Sequence, residues 1–191
     1  MDQRGISAFI VAGGKGRRFG GDKALFRYRD RALIEHVIDA VRPAIANIAI
    51  VADDAARFDY LGLPCYPDAI PGAGAFGGVY TALLRSETGR AFVTACDMPW
   101  LNTDLIRFIA SISEGHDVTI PAVRGEWEPL HAVYAGTCVE HMRKSLESGR
   151  RRIISFFDSV SVRTVTEEEI RRFGDPDLIF RNINYLEDAG I

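Results

Sequence analysis

Glycines and cationic side chains are concentrated in one short stretch near the start of the chain, in a pattern suited to phosphate binding. The eleven residues 13–23 contain five glycines and four cations, which are Lys15, Arg17, Arg18 and Lys23. Glycine lets the backbone turn sharply and brings its N–H groups close to a bound anion, whose charge the cations balance. The apolar run at residues 6–12 predicts a buried parallel strand that leads into this loop. Such an arrangement indicates a site for a phosphate-containing ligand.

Neither of two common phosphate-binding motifs accounts for this loop. In the P-loop pattern, Phe9 stands where the first glycine should be, and Gly16 follows Lys15 in place of Ser or Thr. In the dinucleotide pattern G-x-G-x-x-G, Phe19 occupies the third glycine position. A plain glycine-rich turn with solvated charges is less favoured, because so many cations beside buried-strand glycines have few other uses. The sequence AGGKGRRFGGDK at residues 12–23 is therefore a phosphate loop of another kind.

Apart from the phosphate loop, the residue whose position most suggests chemistry is Asp97. It closely follows the most apolar predicted strand, at residues 91–95. A carboxylate in that place cannot be left unpaired at low cost. Its natural partner is a divalent cation, because Mg²⁺ prefers one or two protein carboxylates together with phosphate oxygens. A role as N-cap of the next helix is less favoured, because Asn102 and Thr103 can provide that cap themselves. The sequence therefore predicts that Asp97 binds Mg²⁺.

A second glycine-rich stretch, at residues 70–78, holds four glycines before a predicted helix at residues 79–85. Such a loop again permits the close approach of a flat or anionic group, although a plain loop would fit the pattern equally well. Asp53 follows the predicted strand at residues 47–52, and ligands of open α/β folds bind beyond the carboxyl ends of strands. A solvated turn or a helix cap is the simpler role for Asp53. Asp68 follows a further short strand, at residues 63–66.

Strands and helices alternate along the chain, which predicts a three-layer α/β/α domain of the Rossmann-like type with a mostly parallel sheet. Apolar residues at helical spacing predict amphipathic helices at residues 32–46 and 103–112. A further helix is expected at residues 136–149, and acidic residues open a short one at residue 167. The remaining strands are expected at residues 24–28, 118–123, 130–134, 160–165 and 179–184.

Length and composition predict one globular domain in a reducing compartment. The chain has 191 residues, 47% apolar and 26% charged, which is ordinary for a soluble protein. Its net charge of −3 argues against general affinity for nucleic acids or membranes, so the basic loop is a local feature. The three cysteines form no C-x-x-C pair, which favours neither disulfides nor zinc. With no visible signal peptide or membrane span, a cytoplasmic location is expected.

The phosphate loop and the Cys-Asp-Met-Pro-Trp segment at residues 96–100 resemble those of nucleotidyltransferases, and most of all the molybdenum cofactor guanylyltransferases of the MobA-like family. The double Arg, the Gly-Gly and the closing Asp-Lys of the loop carry the closer likeness, and the resemblance extends from residue 6 to residue 184. It implies transfer of GMP from GTP to the phosphate of molybdopterin that carries molybdenum, with release of pyrophosphate. A nucleotide half of about residues 1–100 would then precede an acceptor half of about residues 101–191.

The resemblance also implies roles for individual residues on the nucleotide side. Catalysis would depend on Arg17, Lys23 and Asp97, with Mg²⁺ on Asp97 as the cofactor. The residues expected to bind the nucleotide come from the two glycine-rich loops and the ends of strands, and Asp68 corresponds to a carboxylate that contacts the base in such enzymes. They are Val11, Ala12, Gly13, Gly14, Lys23, Asp53, Asp68, Gly74, Gly77, Gly78 and Asp97.

Acceptor binding is assigned by the same resemblance to the second half of the chain. Arg151 and Arg152 would lie beside a phosphate-bearing pterin, and a solvated face is the alternative for these arginines. Asn182 and Asn184 alternate along a predicted strand, so both amides can point to one side. The segment Glu-Pro-Leu-His-Ala-Val-Tyr at residues 128–134 also matches the family, and His131 within it is expected to be structural or to pack against substrate, because a phosphate nucleophile needs no general base.

Three alternatives remain open at this point. One is a related enzyme, either a cytidylyltransferase acting on molybdopterin or a nucleotidyltransferase of sugar or isoprenoid precursor synthesis, although those last enzymes are typically longer and lack the Gly-Gly-Asp-Lys ending. Another is a nucleotide-binding module without catalysis, which the presence of Lys23 and Asp97 argues against. The last is a plain structural domain. Proteins that make or receive the molybdenum cofactor are possible partners of the enzyme.

Overall fold

The computed structural model describes residues 5–13 and 23–183. Its centre is an eight-stranded sheet, accompanied by a separate ribbon made of β2 and β3. The strands in chain order are β1 (Ser7–Val11), β2 (Arg27–Tyr28), β3 (Arg31–Ala32), β4 (Ile48–Val51), β5 (Cys65–Tyr66), β6 (Arg90–Ala95), β7 (Val118–Val123), β8 (Glu126–Trp127), β9 (His131–Ala135) and β10 (Val162–Val165).

The central sheet has the strand order β10-β7-β9-β6-β1-β4-β5, and β8 pairs with β7 outside this path. The pairs β1–β4, β1–β6, β4–β5 and β7–β10 are parallel. Strand β9 runs antiparallel to both of its neighbours, β6 and β7, and the short β8 is antiparallel to β7. The mostly parallel sheet predicted from the sequence is therefore confirmed.

Helices cover both faces of this sheet and make the fold three-layered. The helices are α1 (Leu33–Val41), α2 (Ala75–Arg85), α3 (Thr103–Ser111), α4 (Cys138–Glu147), α5 (Glu167–Arg171) and α6 (Pro176–Ile179), with 3₁₀ helices at Lys23–Leu25, Ala55–Leu61 and Ile153–Ser159. Helices α1 and α3 share one apolar core with alternate strand residues, and α2 and α4 share the other.

Strand β1 shows how the two cores divide the side chains. All five of its residues are buried, with Ala8 and Ile10 in one core and Phe9 and Val11 in the other. A strand covered on both faces reads as a continuous apolar run, which is the pattern that predicted it. Because β4, β5 and β6 run parallel to β1, the residues that follow all four strands meet at one edge of the sheet, which we call the carboxyl edge.

The structure corrects several predicted element boundaries. Residues 24–28 are not one extended piece, because the 3₁₀ helix Lys23–Leu25 precedes β2. The predicted strand at residues 179–184 is wrong within its described part, since α6 occupies Pro176–Ile179 and residues 181–183 have no regular structure. Asp175 caps α6 by accepting a hydrogen bond from the N–H of Asp177, and a proline opens the helix. These local signals outweigh the apolar run that suggested a strand.

Candidate active site

Backbone hydrogen bonds hold the carboxyl edge together just beyond the ends of the strands. The N–H of Cys96 donates to the carbonyl of Val11 at 3.2 Å, and the N–H of Ala12 donates to the carbonyl of Val51 at 2.9 Å. The N–H of Ala52 in turn donates to the carbonyl of Tyr66 at 2.9 Å. These bonds fix the points from which Gly13, Asp53, Asp68 and Asp97 leave the sheet.

Lys23 and Asp97 form an ion pair at this edge, through Nζ and Oδ2. Both side chains are largely shielded, with exposed fractions of 22% for Lys23 and 16% for Asp97. The other oxygen, Asp97 Oδ1, is buried and has no hydrogen-bond partner among residues 5–13 and 23–183. A buried carboxylate oxygen without a partner costs free energy unless a ligand supplies one, so Asp97 retains capacity to bind a cation.

The environment of Asp97 excludes two other roles for this segment. Asn102 is the N-cap of α3, since its side chain accepts hydrogen bonds from the N–H groups of Asp104 and Leu105 at 2.9 and 3.0 Å. Asp97 is therefore not needed as a helix cap. Burial raises the pKa of the neighbouring Cys96 thiol to about 12, so that group stays protonated and unreactive.

The end of the described chain reaches the same place. The N–H of Ile183 donates to the carbonyl of Asp97 at 3.0 Å, and the buried Ile183 side chain packs with Tyr28 and Leu33. Asn182, which is partly buried, therefore lies next to the Asp97 backbone, where the sequence predicted it to bind substrate. The structure brings these two predicted residues together although they are far apart in the chain.

Asp68 is the second carboxylate with an unsatisfied oxygen at this edge. Its Oδ1 is buried without a hydrogen-bond partner in the described part of the chain. Burial raises the pKa of Asp68, and the nearby carboxylate of the exposed Asp53 raises it further. A Cβ atom added to Gly13 would lie 3.9 Å from Asp68 Oδ2, so the start of the phosphate loop passes close to this carboxylate. The predicted residues Gly13, Asp53 and Asp68 are thus neighbours.

The glycines of the second loop divide into two kinds, and here the sequence interpretation needs correction. Helix α2 begins at Ala75, so Gly77 and Gly78 belong to the helix and not to the loop before it. A Cβ at Gly78 would meet Val11 Cγ1 at 2.7 Å, and one at Gly77 would meet Ala73 Cβ at 2.9 Å. These glycines allow α2 to approach β1 closely. Gly74, the N-cap residue, has a φ of +64°, which only glycine adopts without strain.

A side-chain bond ties the loop around Asp68 to α2. Thr81, buried in the helix, accepts a hydrogen bond from the N–H of Ala69 at 2.9 Å and donates one to the carbonyl of Gly77 at 2.8 Å. The residue after Asp68 is therefore anchored, which limits the movement of the Asp68 carboxylate.

The arginines predicted for the acceptor lie on the face of the sheet that carries α2 and α4. Arg151 and Arg152 are exposed, and Arg151 donates a hydrogen bond to the carbonyl of Leu146 at 3.3 Å. The 3₁₀ helix that follows them packs on the first turn of α2, where the rings of Phe76 and Phe156 stack with centroids 6.0 Å apart. Because α2 begins at the carboxyl edge, this contact brings the arginine segment to the same end of the sheet.

His131 has the packing environment expected for a structural residue. Its ring is fully buried, and it meets the rings of Phe92 and Phe180 edge-on with centroids 5.1 Å away in each case. Neither ring nitrogen has a hydrogen-bond partner among the described residues, and burial lowers the pKa to about 3. A neutral, enclosed imidazole of this kind is not placed to abstract a proton from a substrate.

Two charged residues near the edge were given no role by the sequence interpretation. Arg57 lies in the 3₁₀ helix after β4, close enough to Cys96 that its charge lowers the pKa of that thiol, against the larger effect of burial. Glu128 precedes β9 and is partly buried, and burial raises its pKa to about 7. The position of Arg57 after a strand end was a usable signal, and Glu128 stood in a segment already matched to the family.

Three predicted residues, Gly14, Arg17 and Asn184, lie outside the described residues. Among the residues that are described, no three His, Cys, Asp or Glu side chains cluster to hold a metal ion. No helix within the described ranges is long and apolar enough to cross a membrane.

Known proteins resemble the chain in both sequence and structure. The family model for the MobA-like NTP transferase domain matches residues 8–163. A probable molybdenum cofactor guanylyltransferase of Pelotomaculum thermopropionicum is 34% identical over 94% of this chain and 87% of its own. The molybdenum cofactor guanylyltransferase of Desulfosudis oleivorans is 36% identical over 96% of this chain and 92% of its own. The crystal structure of molybdopterin-guanine dinucleotide biosynthesis protein A from Archaeoglobus fulgidus, 26% identical, superposes with a TM-score of 0.83 and covers 96% of this chain and 95% of that one.

Proposed function

Because the chain belongs to the MobA-like NTP transferase family, we propose that it transfers GMP from GTP to molybdopterin. The products are the guanine dinucleotide form of the cofactor and pyrophosphate. The observation that carries this proposal is the Lys23–Asp97 pair at the carboxyl edge, in which Asp97 Oδ1 is buried without a partner among the described residues. Both relatives described above are named for guanylyl transfer, so the cytidylyltransferase alternative is not favoured.

The reaction requires positioning and charge neutralisation more than proton transfer. A phosphate oxygen of molybdopterin attacks the α-phosphorus of GTP and forms a new P–O bond. The bond from that phosphorus to the oxygen shared with the β-phosphate breaks, and pyrophosphate leaves with the bonding electrons. An ionised phosphate is already a nucleophile, so no side chain has to remove a proton. Lys23 and Arg17 are the cations we assign to the triphosphate, whose negative charge they offset.

Asp97 is the residue we assign to Mg²⁺. Its second oxygen is buried and unsatisfied in the described structure, which suits a carboxylate that completes its contacts only when a cation is present. When bound, Mg²⁺ supplies neutralisation of charge on phosphate oxygens. Lys23 holds the other oxygen and fixes the orientation of the carboxylate.

Asp68 is the side chain we assign to the guanine base, with the neighbouring Asp53 and the backbone of residues 11–14 around the nucleotide. The edge of guanine presents a ring N–H beside an amino group, and an ionised carboxylate has two oxygens that accept from both. Cytosine presents one amino group beside a ring acceptor at its pairing edge, so a carboxylate can satisfy only one group there. An unsatisfied carboxylate beside the phosphate loop therefore supports GTP over CTP.

The acceptor is assigned to the other side of Asp97. Asn182 and Asn184, together with Arg151 and Arg152, are the residues we propose for its phosphate and pterin. Asn182 is supported by the contact between Ile183 and Asp97, and the arginines by their position near the start of α2. A cytoplasmic location and contact with proteins that make or receive the molybdenum cofactor remain part of the proposal.

Calorimetric titration of the protein with GTP, CTP, ATP and UTP, each with and without Mg²⁺, tests this function. We expect Mg²⁺-dependent binding with preference for GTP, followed by pyrophosphate release when molybdopterin is added. Preference for CTP would transfer the protein to the cytidylyl relatives, and binding without turnover would favour a nucleotide-binding module. A protein that binds none of the four nucleotides would contradict the proposal altogether.

A further inference from the structure

We propose that the Glu128 carboxylate recognises the pterin ring of the acceptor, by accepting hydrogen bonds from a ring N–H and the adjacent exocyclic amino group. This inference rests on the proposed function, since it names the group that reads the acceptor within the same site. Neither the family match nor the motif comparison assigns a role to Glu128. The position, the fixed backbone and the partly buried, unpaired carboxylate of this residue carry the inference.

Glu128 lies just before β9, the strand that pairs with the strand leading to Asp97. In this antiparallel pairing Thr94 lies opposite His131, and a turn at residues 128–131 comes immediately before that pair. Leu130 packs against both apolar cores, which places this segment across the end of the sheet. Glu128 is therefore at the carboxyl edge, on the side of Asp97 that is opposite to β1 and the phosphate loop.

The backbone around Glu128 is held on both sides. Its own N–H donates to the carbonyl of Pro121 at 2.9 Å, and its carbonyl accepts from the N–H of His131 at 3.0 Å. The hydroxyl of Tyr134 donates to the carbonyl of Pro129 at 2.7 Å. The backbone that carries this side chain therefore loses little conformational freedom when a ligand binds, which favours affinity and selectivity.

The carboxylate of Glu128 has no hydrogen bond or ion pair with any residue in the described ranges. The other described carboxylates after residue 100 are either exposed or engaged in such contacts, for example Glu140 and Glu147 with Arg143, and Glu169 with Arg163. Partial burial of an unpaired carboxylate disfavours its charged form, as the raised pKa of Glu128 reflects. A ligand that brings N–H donors would compensate for this cost.

The pterin ring carries the complementary donors. Its pyrimidine part has an amino group on the carbon next to a ring N–H, and the two point in the same direction. A carboxylate accepts both with its two oxygens, in the paired geometry that also makes carboxylate–guanidinium contacts selective. The acceptor phosphate carries negative charge and would be repelled by Glu128, so the ring and not the phosphate is the part of the acceptor that this residue suits.

The first test compares Glu128→Gln with Glu126→Gln, a matched change at an exposed glutamate on β8. In Glu128→Gln we expect the KM for molybdopterin to rise roughly 10- to 100-fold, the range for a lost hydrogen bond to a charged group. The kcat and the calorimetric Kd for GTP should stay within about twofold, because neither depends on this contact. The variant Glu126→Gln should match the parent protein in all three quantities.

The second test uses two small probes that differ at one group. Pterin has the amino group, and lumazine has an oxygen in its place. Both are tested as competitive inhibitors against molybdopterin. We expect pterin to bind the parent protein at least about tenfold more tightly than lumazine, because a carboxylate repels the lumazine oxygen. In Glu128→Gln the preference should disappear. A residue with a purely structural role would weaken both probes equally and leave their ratio unchanged.

The possible outcomes separate the two proposals. If the parent protein makes product and Glu128→Gln retains both the KM and the pterin preference, the inference is overturned and the proposed function stands. A shift in the Mg²⁺ dependence of Glu128→Gln with an unchanged KM would also overturn it, by assigning the carboxylate to a metal. If the parent protein binds GTP but makes no product with molybdopterin, the proposed function fails, and the inference fails with it.

Discussion

We have assigned the nucleotide to one side of Asp97 and the acceptor to the other, and these two sides of the sheet present their carboxylates in different ways. On the nucleotide side, Asp53, Asp68 and Asp97 follow parallel strands, so one repeated topology brings them to one edge. On the acceptor side, Glu128 lies in the short segment that joins β8 to β9, two strands that both run antiparallel to β7. The first arrangement follows from the general fold, whereas the second depends on one local excursion of the chain.

This difference shows where such a fold can change its specificity. Groups at the ends of parallel strands are fixed by the sheet, so they suit the triphosphate, which GTP and CTP have in common. Groups in turns can change without disturbing the sheet, and these suit the acceptor. Asp68 and Glu128 are nevertheless alike in their chemistry, since each has a raised pKa and guanine and pterin share the same donor edge.

The largest expected effect comes from the residue between the two sides. In Asp97→Asn we expect turnover to fall roughly a thousandfold, because the amide is a poor ligand for Mg²⁺ and a poor partner for Lys23. Pyrophosphate release measures this, with Glu114→Gln, an exposed glutamate, as the control. Thermal unfolding should show that the variant is folded. Near-normal turnover in Asp97→Asn would show that Asp97 takes no part in the reaction.

The comparison between Asp68 and Glu128, the carboxylates assigned to the two rings, is sharpened by Asp68→Asn. We expect GTP to bind roughly 10- to 100-fold more weakly and the preference for GTP over CTP to decrease, because the amide group places a donor against the guanine donors. The KM for molybdopterin should not change, which is the reverse of the expectation for Glu128→Gln. Calorimetry with both nucleotides is the measurement, and Asp54→Asn, an exposed neighbour, is the control. Unchanged GTP affinity would show that Asp68 does not contact the guanine base.

The nucleotide side also depends on close packing between α2 and β1. In Gly78→Ala, the new Cβ would lie 2.7 Å from Val11 Cγ1, so α2 and β1 must move apart. We expect a loss of about 1–3 kcal/mol in the free energy of unfolding, measured by urea denaturation. Gly5→Ala is the matched control, since its Cβ would have no neighbour within 4 Å. Equal stability of the two variants would show that the helix has room to shift.

A smaller effect is expected from pH, and it arises on the acceptor side. Burial lowers the pKa of His131 from its ordinary value of 6.5 to about 3. In the pH range between these two values, the unfolded chain therefore binds a proton that the folded chain does not. His131 therefore lowers the stability as pH falls below 6.5, and above that pH it has no such effect. Between about pH 7 and about pH 5 the contribution of His131 alone is a loss on the order of 2 kcal/mol. Glu128 acts in the opposite direction over this range, because burial raises its pKa to about 7 and the folded chain binds its proton more readily than the unfolded chain does.

Urea denaturation of the parent protein and of His131→Leu at both pH values isolates the contribution of His131 as the difference between their pH dependences. The substitution changes the packing between the two phenylalanine rings, so the pH dependence and not the absolute stability is the quantity to compare. On going from pH 7 to pH 5, we expect the change in the free energy of unfolding to be more favourable in the variant than in the parent protein. An equal pH dependence in both proteins would show that His131 does not contribute to it.

The sequence predicted the layers of the fold and most of the strands that carry the site, because apolar runs and turns report directly on parallel strands. It also predicted Asp97 and its neighbourhood from the position of a carboxylate after a buried strand. The start of α2 was misplaced, because glycines favour a loop locally whereas here they are required by contact with Val11. That contact is a tertiary feature, and no local pattern reports it.

The role of the acceptor side was harder to predict for the same reason. That Glu128 is partly buried and unpaired depends on how the β8–β9 turn crosses the end of the sheet, which sequence spacing does not reveal. Likewise, the position of Arg57 near Cys96 depends on the path of the chain after β4. For Asn182, the resemblance predicted a site residue, but the strand proposed to carry it was wrong, and a single backbone bond from Ile183 places it instead.

That bond between Ile183 and Asp97 has a consequence for the order in which the enzyme is made. The strands from β1 to β6 can pair once residue 95 has left the ribosome, but the carbonyl of Asp97 and the pocket of Tyr28 and Leu33 receive Ile183 only after residue 183 has been made. A nascent chain can thus build the carboxyl edge well before Ile183 closes it. A chain that terminated between these two points would carry that edge without its contact from Ile183.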